Sequence, residues 1–281
     1  MALTLWRVCP TLILQGGDLN VTLKWILVAA ILLCIVAMGI QFLKNTFYAV
    51  TAPTYSLRNF AQDDNLFVSI LMVFLGGIFV ALYALIQRDF IAQCFEDFAR
   101  AQVGGALASY PNATYKPVVF EYGIGRMTDV FESLETVVVW IPVIWLVLWL
   151  LFGVLYWFLS RAFGNQSPVK MMLSSLSYYY MLLGVVVGYF IAHGIGTAFA
   201  AGAGSSSFGV VDIVGALLGL VSIAYLIIAI SQGGDTTPAQ ALVVWLVWTV
   251  VIGGIIAAVV YKAVIPAFDA FLGELSSSSW A

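Results

Sequence analysis

Two ionisable side chains lie where membrane chemistry would need them, at the ends of consecutive apolar stretches. His193 is near the end of one stretch and Asp212 is at the start of the next. Across the short connection an imidazole and a carboxylate can meet, so the pair could handle a proton or lock two helices together. The alternative is an interfacial histidine with its polar atoms satisfied and a carboxylate that caps a helix N-terminus. We favour the second interpretation and keep the first as a hypothesis.

An aromatic stripe in an earlier apolar stretch is the second candidate site. One face of the predicted helix carries four aromatic residues at helical spacing. They are Trp145, Trp149, Phe152 and Tyr156. A pigment, a quinone or a lipid tail could stack on such a face. Aromatic belts and packing against lipid or a neighbouring subunit produce the same pattern, because Trp and Tyr favour membrane interfaces, and we favour that explanation.

Hydroxyl side chains form a third cluster. Ser174, Ser175 and Ser177 lie beside three consecutive tyrosines at positions 178–180. They could bind a lipid headgroup near the interface. We favour the alternative, in which these hydroxyls form hydrogen bonds between helices.

The rest of the chain offers little catalytic chemistry. The single histidine cannot provide both axial ligands of a membrane haem, and Cys9, Cys34 and Cys94 lack the spacing of a metal site. We expect all three cysteines to be reduced and structural. The sequence has neither a phosphate-binding glycine loop nor a nucleophile elbow. It therefore predicts a protein that is not an enzyme and that has no metal and no cofactor.

Composition places these residues in a membrane. Hydrophobic residues make up 63% of the 281 residues and charged residues 9%, against about 25% charged residues in soluble domains. The mean hydropathy is +1.04. Only helices or closed barrels can span lipid, and continuous apolar stretches select helices. We therefore predict an all-α polytopic integral membrane bundle, and the net charge of −3 argues against a nucleic-acid partner.

Six apolar stretches are long enough to cross the bilayer as helices. They cover residues 21–43, 66–87, 137–159, 167–196, 210–231 and 237–261. Six spans put both termini on one side of the membrane. That side carries seven of the eleven Lys and Arg residues, which favours cytoplasmic termini.

The chain divides into two predicted regions. Residues 1–135 hold two transmembrane helices and an extramembrane segment at 88–135, and residues 136–281 form a four-helix transmembrane domain. The segment opens with an amphipathic helix, which predicts a position in the interface or against a partner. Its apolar face contains Ile91, Cys94, Phe95 and Phe98. We interpret residues 44–65 as a polar connection and residues 198–207 as a flexible loop of small residues.

Small residues at every fourth position predict a close helix contact. In the fourth stretch they are Gly184, Gly188, Ala192 and Gly196, and in the fifth they are Gly215 and Gly219. We expect these two ridges to pack against each other.

The entries to the fourth and sixth stretches carry capping signals. Ser167 can cap the fourth helix, with Pro168 at its first position. Thr237, followed by Pro238 and then Gln240, has the capping-box pattern for the sixth helix.

The hairpin of the third and fourth stretches resembles a known membrane family. An aromatic span leads through YWFLSRAFG at 156–164 into a polar turn and then into SPVKMMLSSLSY at 167–178, with TPAQAL at 237–242 further on. This arrangement is similar to the Ypt-interacting-protein (YIP) domain family over Phe131 to Lys262. Gly164 and Asn165 stand where that family has a double glycine, and its proline after the tyrosine is missing. The resemblance implies a non-enzymatic multispan protein of a family linked in eukaryotes to small-GTPase-dependent vesicle traffic, with no catalytic residues.

Abundant packing features with almost no buried chemistry favour a non-catalytic membrane protein. It would act as a scaffold, an accessory subunit or a membrane organiser, with membrane lipids and other membrane protein subunits as partners. A small transporter or channel is the first alternative, with His193 and Asp212 lining a path. A pigment- or cofactor-holding subunit of a larger complex is the second. We expect a bacterial inner membrane, with a eukaryotic endomembrane as the alternative.

Overall fold

A computed structural model describes residues 18–62, 66–108, 121, 125, 138–204, 209–259, 261, 262 and 266. Nine α-helices lie within these ranges, and a π-helical segment, Leu183–Val187, joins the sixth to the seventh. The helices are α1 (Asp18–Thr51), α2 (Pro53–Gln62), α3 (Leu66–Ile86), α4 (Arg88–Ala108), α5 (Ile141–Arg161), α6 (Val169–Leu182), α7 (Gly188–Gly202), α8 (Val210–Gly233) and α9 (Pro238–Val259).

The described residues form six helical segments that are long and apolar enough to cross a bilayer. They are Val21–Gly39, Leu66–Ile86, Ile141–Arg161, Val169–Gly202, Val210–Gly233 and Pro238–Val259. The predicted all-α polytopic bundle is confirmed. We number these segments as the first to sixth spans, and the fourth combines α6, the π segment and α7.

Two connections between the predicted spans are largely helical. α1 continues beyond the first span with a kink at Gly39, whose φ of 72° lies in the left-handed region. α2 follows directly and packs on α6 and α8, with Leu57 fully buried. α7 runs on to Gly202. The flexible loop predicted at 198–207 is therefore wrong for the residues described, and the polar connection at 44–65 is largely helical, because tertiary contacts stabilise helix in both places.

α3 lies at the centre of the bundle and contacts α1, α5, α6 and α7. Two adjacent glycines allow this position. A Cβ at Gly76 would lie 2.6 Å from the carbonyl oxygen of Tyr180, and one at Gly77 would lie 2.7 Å from the Cα of Pro142. Both separations are too short for a side chain. The glycine pair therefore lets the α3 backbone touch two neighbouring spans at once.

The two predicted regions share one hydrophobic core. It extends from Leu27 on α1 to Val244 on α9, and α3 contributes buried residues along most of its length. The domain boundary at residue 135 stays a prediction, and helices from both sides of it pack into the same core.

The glycine ridge of the fourth span packs on α3. A Cβ at Gly184 would collide with the backbone of Gly76. A Cβ at Gly188 would lie 2.9 Å from the ring of Tyr83, also on α3. The ridge thus allows the close approach that its small residues predict, with the second span as its partner.

The predicted packing of this ridge on the fifth span is wrong. Gly215 does face the fourth span, where a Cβ would lie 3.0 Å from the Phe190 ring. Around Gly219 no atom of the described residues lies within 4 Å of an added Cβ. Spacing identifies a smooth helix face, and Ala192 is buried on it as expected. The spacing does not identify the partner helix, because any span with small residues of its own can approach the ridge as closely.

α4 continues from α3 and packs along α7. The rings of Phe95 and Phe98 lie 5.3 and 5.6 Å from that of Phe199. Further along, the Gln102 side chain donates a hydrogen bond to the Gly202 carbonyl oxygen over 3.4 Å. The predicted amphipathic face therefore packs on this chain's own fourth span. The remainder of segment 88–135 is largely outside the described residues.

The fourth span is longer than the membrane is thick. Its 34 residues extend about 50 Å at about 1.5 Å per residue, against a hydrocarbon core of about 30 Å. Its last turns therefore project beyond the lipid, together with α4. We call α4 and Gly194–Gly202 the extramembrane pair.

The glycine contacts lead to a paired prediction. Gly184→Ala should lower the free energy of unfolding by about 1–3 kcal/mol, because the added Cβ meets the Gly76 backbone. Gly219→Ala should leave it unchanged or slightly raised, since alanine is the better helix former and the described residues leave the space open. Thermal unfolding in mild detergent, followed by circular dichroism, measures both. Equal midpoints for the two variants would contradict the assignment of α3 as the partner.

Candidate functional site

The structure brings His193 of α7 and Asp212 of α8 together. Nε2 of the imidazole lies 3.4 Å from Oδ1 of the carboxylate, and the side chains are 19% and 15% exposed. The other carboxylate oxygen, Oδ2, accepts a hydrogen bond of 2.8 Å from the backbone N–H of Gly209, the N-cap of α8. Asp212 therefore does both things that the sequence predicts as alternatives. It caps the start of its own helix and faces the histidine of the preceding span.

Aromatic rings hold the imidazole in place. The Phe90 ring of α4 lies 5.0 Å from the His193 ring at an interplanar angle of 10°, and the Tyr189 ring lies 6.4 Å away at 3°. Phe90 also contacts Gly196, one turn further along α7. Neither ring was among the predicted site residues. Tyr189 was open to prediction, because residues four apart share a helix face, whereas nothing in the sequence signals Phe90.

The pair lies at the edge of the hydrocarbon core. His193 is about 36 Å along the helix from the start of the fourth span at Val169, at about 1.5 Å per residue. This exceeds the core thickness of about 30 Å. Asp212 is in the first turn of the fifth span, so both residues lie at the same interface.

Two neighbouring cavities lie between the fourth and fifth spans, and the first of them begins at this pair. A cavity of about 210 Å³ is lined by His193 and Asp212 together with apolar residues of both helices, including Gly215. A second cavity of about 170 Å³ lies deeper and is lined by apolar side chains with Tyr179, Ser222 and Tyr225. Val187 lines both cavities. We call the two together the Val187 groove.

The π segment forms one wall of the Val187 groove. Its wider turn changes the direction of the backbone carbonyls, which lipid cannot hydrogen-bond. The Tyr83 hydroxyl of α3 donates a hydrogen bond of 3.1 Å to the Val185 carbonyl oxygen. In the same turn Gly184 contacts α3. The second span thus holds the bulge from one side while the groove opens on another.

The aromatic stripe of the third span faces the protein. Trp149 and Tyr156 are only 3% and 7% exposed. The indole N–H of Trp145 donates to the Tyr180 carbonyl oxygen over 3.2 Å, and that of Trp149 donates to the Leu173 carbonyl oxygen over 3.0 Å. An outward face for a lipid, pigment or cofactor is therefore wrong for these residues. An indole N–H in lipid needs an acceptor, and the neighbouring backbone provides it.

The remaining member of the stripe is Phe152, which is partly exposed. Its ring stacks on that of Tyr156, with centroids 6.2 Å apart. The stripe therefore consists of three residues that join the third span to the fourth and one that lies at the edge of the contact.

The serine cluster forms hydrogen bonds within the bundle, as predicted. Ser174, Ser175 and Ser177 are at most 2% exposed. Ser175 donates a hydrogen bond of 2.6 Å to the Ala229 carbonyl oxygen of the fifth span, and Ser69 of the second span lies 3.4 Å from Ser174, oxygen to oxygen. Side chains this buried cannot reach a lipid headgroup.

On the opposite membrane face, the turn before α6 is tied to the end of α8. α6 begins at Val169, and its N-cap is Pro168, so the predicted cap at Ser167 is wrong. The Ser167 hydroxyl instead lies within hydrogen-bond distance of two acceptors, the Gly233 carbonyl oxygen at 3.0 Å and Oδ1 of Asn165 at 2.5 Å. Its backbone N–H donates to Oδ1 of buried Asn165 over 2.7 Å. Ser167 therefore connects two turns of the bundle, whereas the local sequence pattern predicts that it caps the helix.

The capping box at the sixth span is confirmed. The Thr237 backbone N–H donates to Oε1 of Gln240 over 2.9 Å, and the Gln240 N–H donates to the Thr237 hydroxyl over 3.3 Å. α9 starts at Pro238 between them. The sequence pattern predicts this motif correctly because both partners lie within one turn of the same helix.

Two cysteines are free thiols in the structure, Cys34 and Cys94, and both are buried; Cys9 lies outside the described residues. Burial, together with the nearby Asp97 carboxylate, raises the pKa of the Cys94 thiol, which makes it a weak nucleophile. Across the part of the chain that the structure describes, no three His, Cys, Asp or Glu side chains form a group that could hold a metal ion.

The fold and this site define a class, a polytopic all-α integral membrane protein of six spans. Comparison of the chain with family models, with curated proteins and with solved structures finds no match. The resemblance to the YIP domain family therefore stays a prediction.

The capping role of Asp212 can be tested by two substitutions. Asp212→Ala should cost about 1 kcal/mol of stability, because the Gly209 N–H and His193 both lose their partner. Asp212→Asn should cost less, since an amide oxygen can still accept from Gly209. Thermal midpoints in detergent compare the two. An equal loss in both variants would show that the charge, not the cap, stabilises this end of α8.

The indole contacts make a separate prediction. Trp149→Phe keeps an aromatic ring and removes the N–H that binds the Leu173 carbonyl oxygen, so it should cost about 1 kcal/mol. Trp140→Phe is the matched control, because Trp140 is 62% exposed at the start of the same span. Chemical or thermal unfolding in detergent gives both values. A cost for Trp140→Phe as large as that for Trp149→Phe would refute the structural role of the N–H.

Proposed function

We propose that this chain is a non-catalytic multi-pass membrane protein that acts through contacts with lipids and with other membrane protein subunits. It would serve as a scaffold, an accessory subunit or an organiser of the membrane. The observation that carries the proposal is the use of polar groups in the spans. Indole, hydroxyl and carbonyl groups at depth join one helix to another, as at Trp149, Ser175 and Tyr83. They stabilise an architecture and leave few groups for a reaction.

The extramembrane pair supports contacts with other subunits. α4 packs its apolar face on α7 and presents a charged face outward, with Asp89, Asp97 and Arg100 exposed. Arg100 makes ion pairs with Glu96 at 2.8 Å and Glu121 at 3.5 Å. A charged surface on a helix that is continuous with the bundle suits recognition of a soluble or membrane-bound partner.

We infer a bacterial inner membrane as the location, with a eukaryotic endomembrane as the alternative. Helical bundles of this kind suit either membrane, since each backbone hydrogen-bonds within its own span. Fractionation of cells that produce the full chain distinguishes the two locations.

Site-specific cross-linking tests the proposal. A photoreactive residue replaces Asp97 on the extramembrane pair, or Val250 on the sixth span, which is 72% exposed. After irradiation in native membranes we expect protein adducts of defined mass from position 97 and lipid adducts from position 250. The same protein, reconstituted in liposomes, should give no solute flux above that of protein-free liposomes.

A transporter or channel is the second candidate, because the Val187 groove has an ionisable pair at its mouth. It predicts a solute flux that Asp212→Asn abolishes, and no protein adducts from position 97. That combination would overturn the scaffold proposal. The cofactor-holding subunit is not proposed further, because the stripe that motivated it is packed against the fourth span.

A further inference from the structure

We propose that the Val187 groove binds one membrane phospholipid of the ethanolamine class, with its acyl chain in the groove and its ammonium group at Asp212. This inference deepens the proposed function, because it names a lipid and a site for the lipid contacts of the scaffold.

The groove has the length of one lipid leaflet. It extends along α8 from Asp212 to Tyr225, about 20 Å at about 1.5 Å per residue. Half of the hydrocarbon core is about 15 Å thick. A chain that enters at the interface beside the carboxylate therefore ends near the middle of the bilayer.

The groove opens towards lipid and is lined mainly by apolar side chains. Val186 and Val221 on its rim are 43% and 53% exposed, although both lie inside membrane spans. Its deep end also carries the hydroxyl groups of Tyr179, Ser222 and Tyr225, of which Ser222 donates to the Gly219 carbonyl oxygen over 2.8 Å. A concave apolar surface in this position favours a hydrocarbon chain over water.

The shape of the groove is built into the fold. The π segment widens the fourth span where Val187 faces the fifth span, and Tyr83 and Gly184 secure that segment on α3. On the other wall, Gly215 lets the Phe190 ring of the fourth span pack closely against the backbone of α8. The groove is therefore a fixed feature of the packed bundle, which lowers the entropic cost of holding a chain.

Charge at the mouth favours an ammonium group. Asp212 lines the cavity and has a carboxylate that can accept further hydrogen bonds from a cation. On α4, whose Phe90 stacks on His193, three acidic residues accompany two arginines. An ethanolamine ammonium can donate hydrogen bonds to the carboxylate, whereas a choline group has no N–H and a glycerol headgroup has no cationic group.

Lipid retention by the purified full chain tests the site. The protein in mild detergent is mixed with equal amounts of phosphatidylethanolamine, phosphatidylglycerol and phosphatidylcholine, and bound lipid is counted by native mass spectrometry. We expect one ethanolamine lipid per chain. Leu218→Trp, which fills the groove, should reduce its retention about tenfold. Leu217→Trp is the matched control, because Leu217 is adjacent, 57% exposed and faces away from the groove lining, and retention should be unchanged.

The headgroup is tested by Asp212→Asn. This variant should still retain a lipid but should lose its preference for the ethanolamine headgroup over choline. Equal retention in the two tryptophan variants would overturn the groove as the site. Preference for phosphatidylglycerol, an isoprenoid quinone in place of a phospholipid, or an unchanged headgroup preference in Asp212→Asn would overturn the proposed ligand.

The failure of this inference is distinguishable from the failure of the proposed function. Cross-linking from position 97 reports partner contacts and does not involve the groove. If Leu218→Trp retains lipid while protein adducts persist, the lipid site is wrong and the scaffold stands. If the adducts are absent while Leu218→Trp loses lipid, the scaffold proposal is wrong and the lipid site stands.

Discussion

The α3 backbone touches the backbone of the fourth span at Gly76 and Gly184, and the positions of many other parts depend on that contact. Because neither residue has a Cβ, the two helices approach more closely than side chains would allow. Gly184 lies within the π segment of the fourth span, and the Tyr83 hydroxyl of α3 donates to the Val185 carbonyl oxygen. Val187, at the end of the same segment, lines the Val187 groove beside α8. The fourth span therefore packs tightly on α3 at one side and borders the Val187 groove at another.

The bilayer explains why so many polar side chains point into the bundle. Lipid offers no hydrogen-bond partner, so an indole or hydroxyl at depth must find one in the protein. Trp145 and Trp149 use carbonyl groups of the fourth span, and Ser175 uses one of the fifth. At the interface Asp212 binds Gly209, and on the other face Ser167 binds Gly233. These bonds fix the spans in a definite register relative to one another. They therefore also fix the position of the extramembrane pair, which continues from two of the spans.

The sequence predicts best what depends on neighbours along the chain. The capping box at Thr237 and Gln240 needs only one helical turn. The approach of His193 to Asp212 was a hypothesis, based on the short connection that limits their separation, and the structure brings the two side chains together. Ser167 shows where such reasoning fails. Its local pattern predicts a cap, but the end of α8 offers another acceptor, and the side chain binds there.

The sequence alone determined that this protein is a bundle of six transmembrane helices, because bilayer thickness and the need to satisfy backbone hydrogen bonds select long apolar helices. Only the tertiary structure decided which faces meet. Periodicity shows that Trp149 and Tyr156 share a face, and spacing shows that Gly184 and Gly188 form a ridge. Neither tells whether a face meets lipid or protein, since both surroundings are apolar and hydrophobicity does not distinguish them. Shape complementarity makes that choice, and it also forms the Val187 groove.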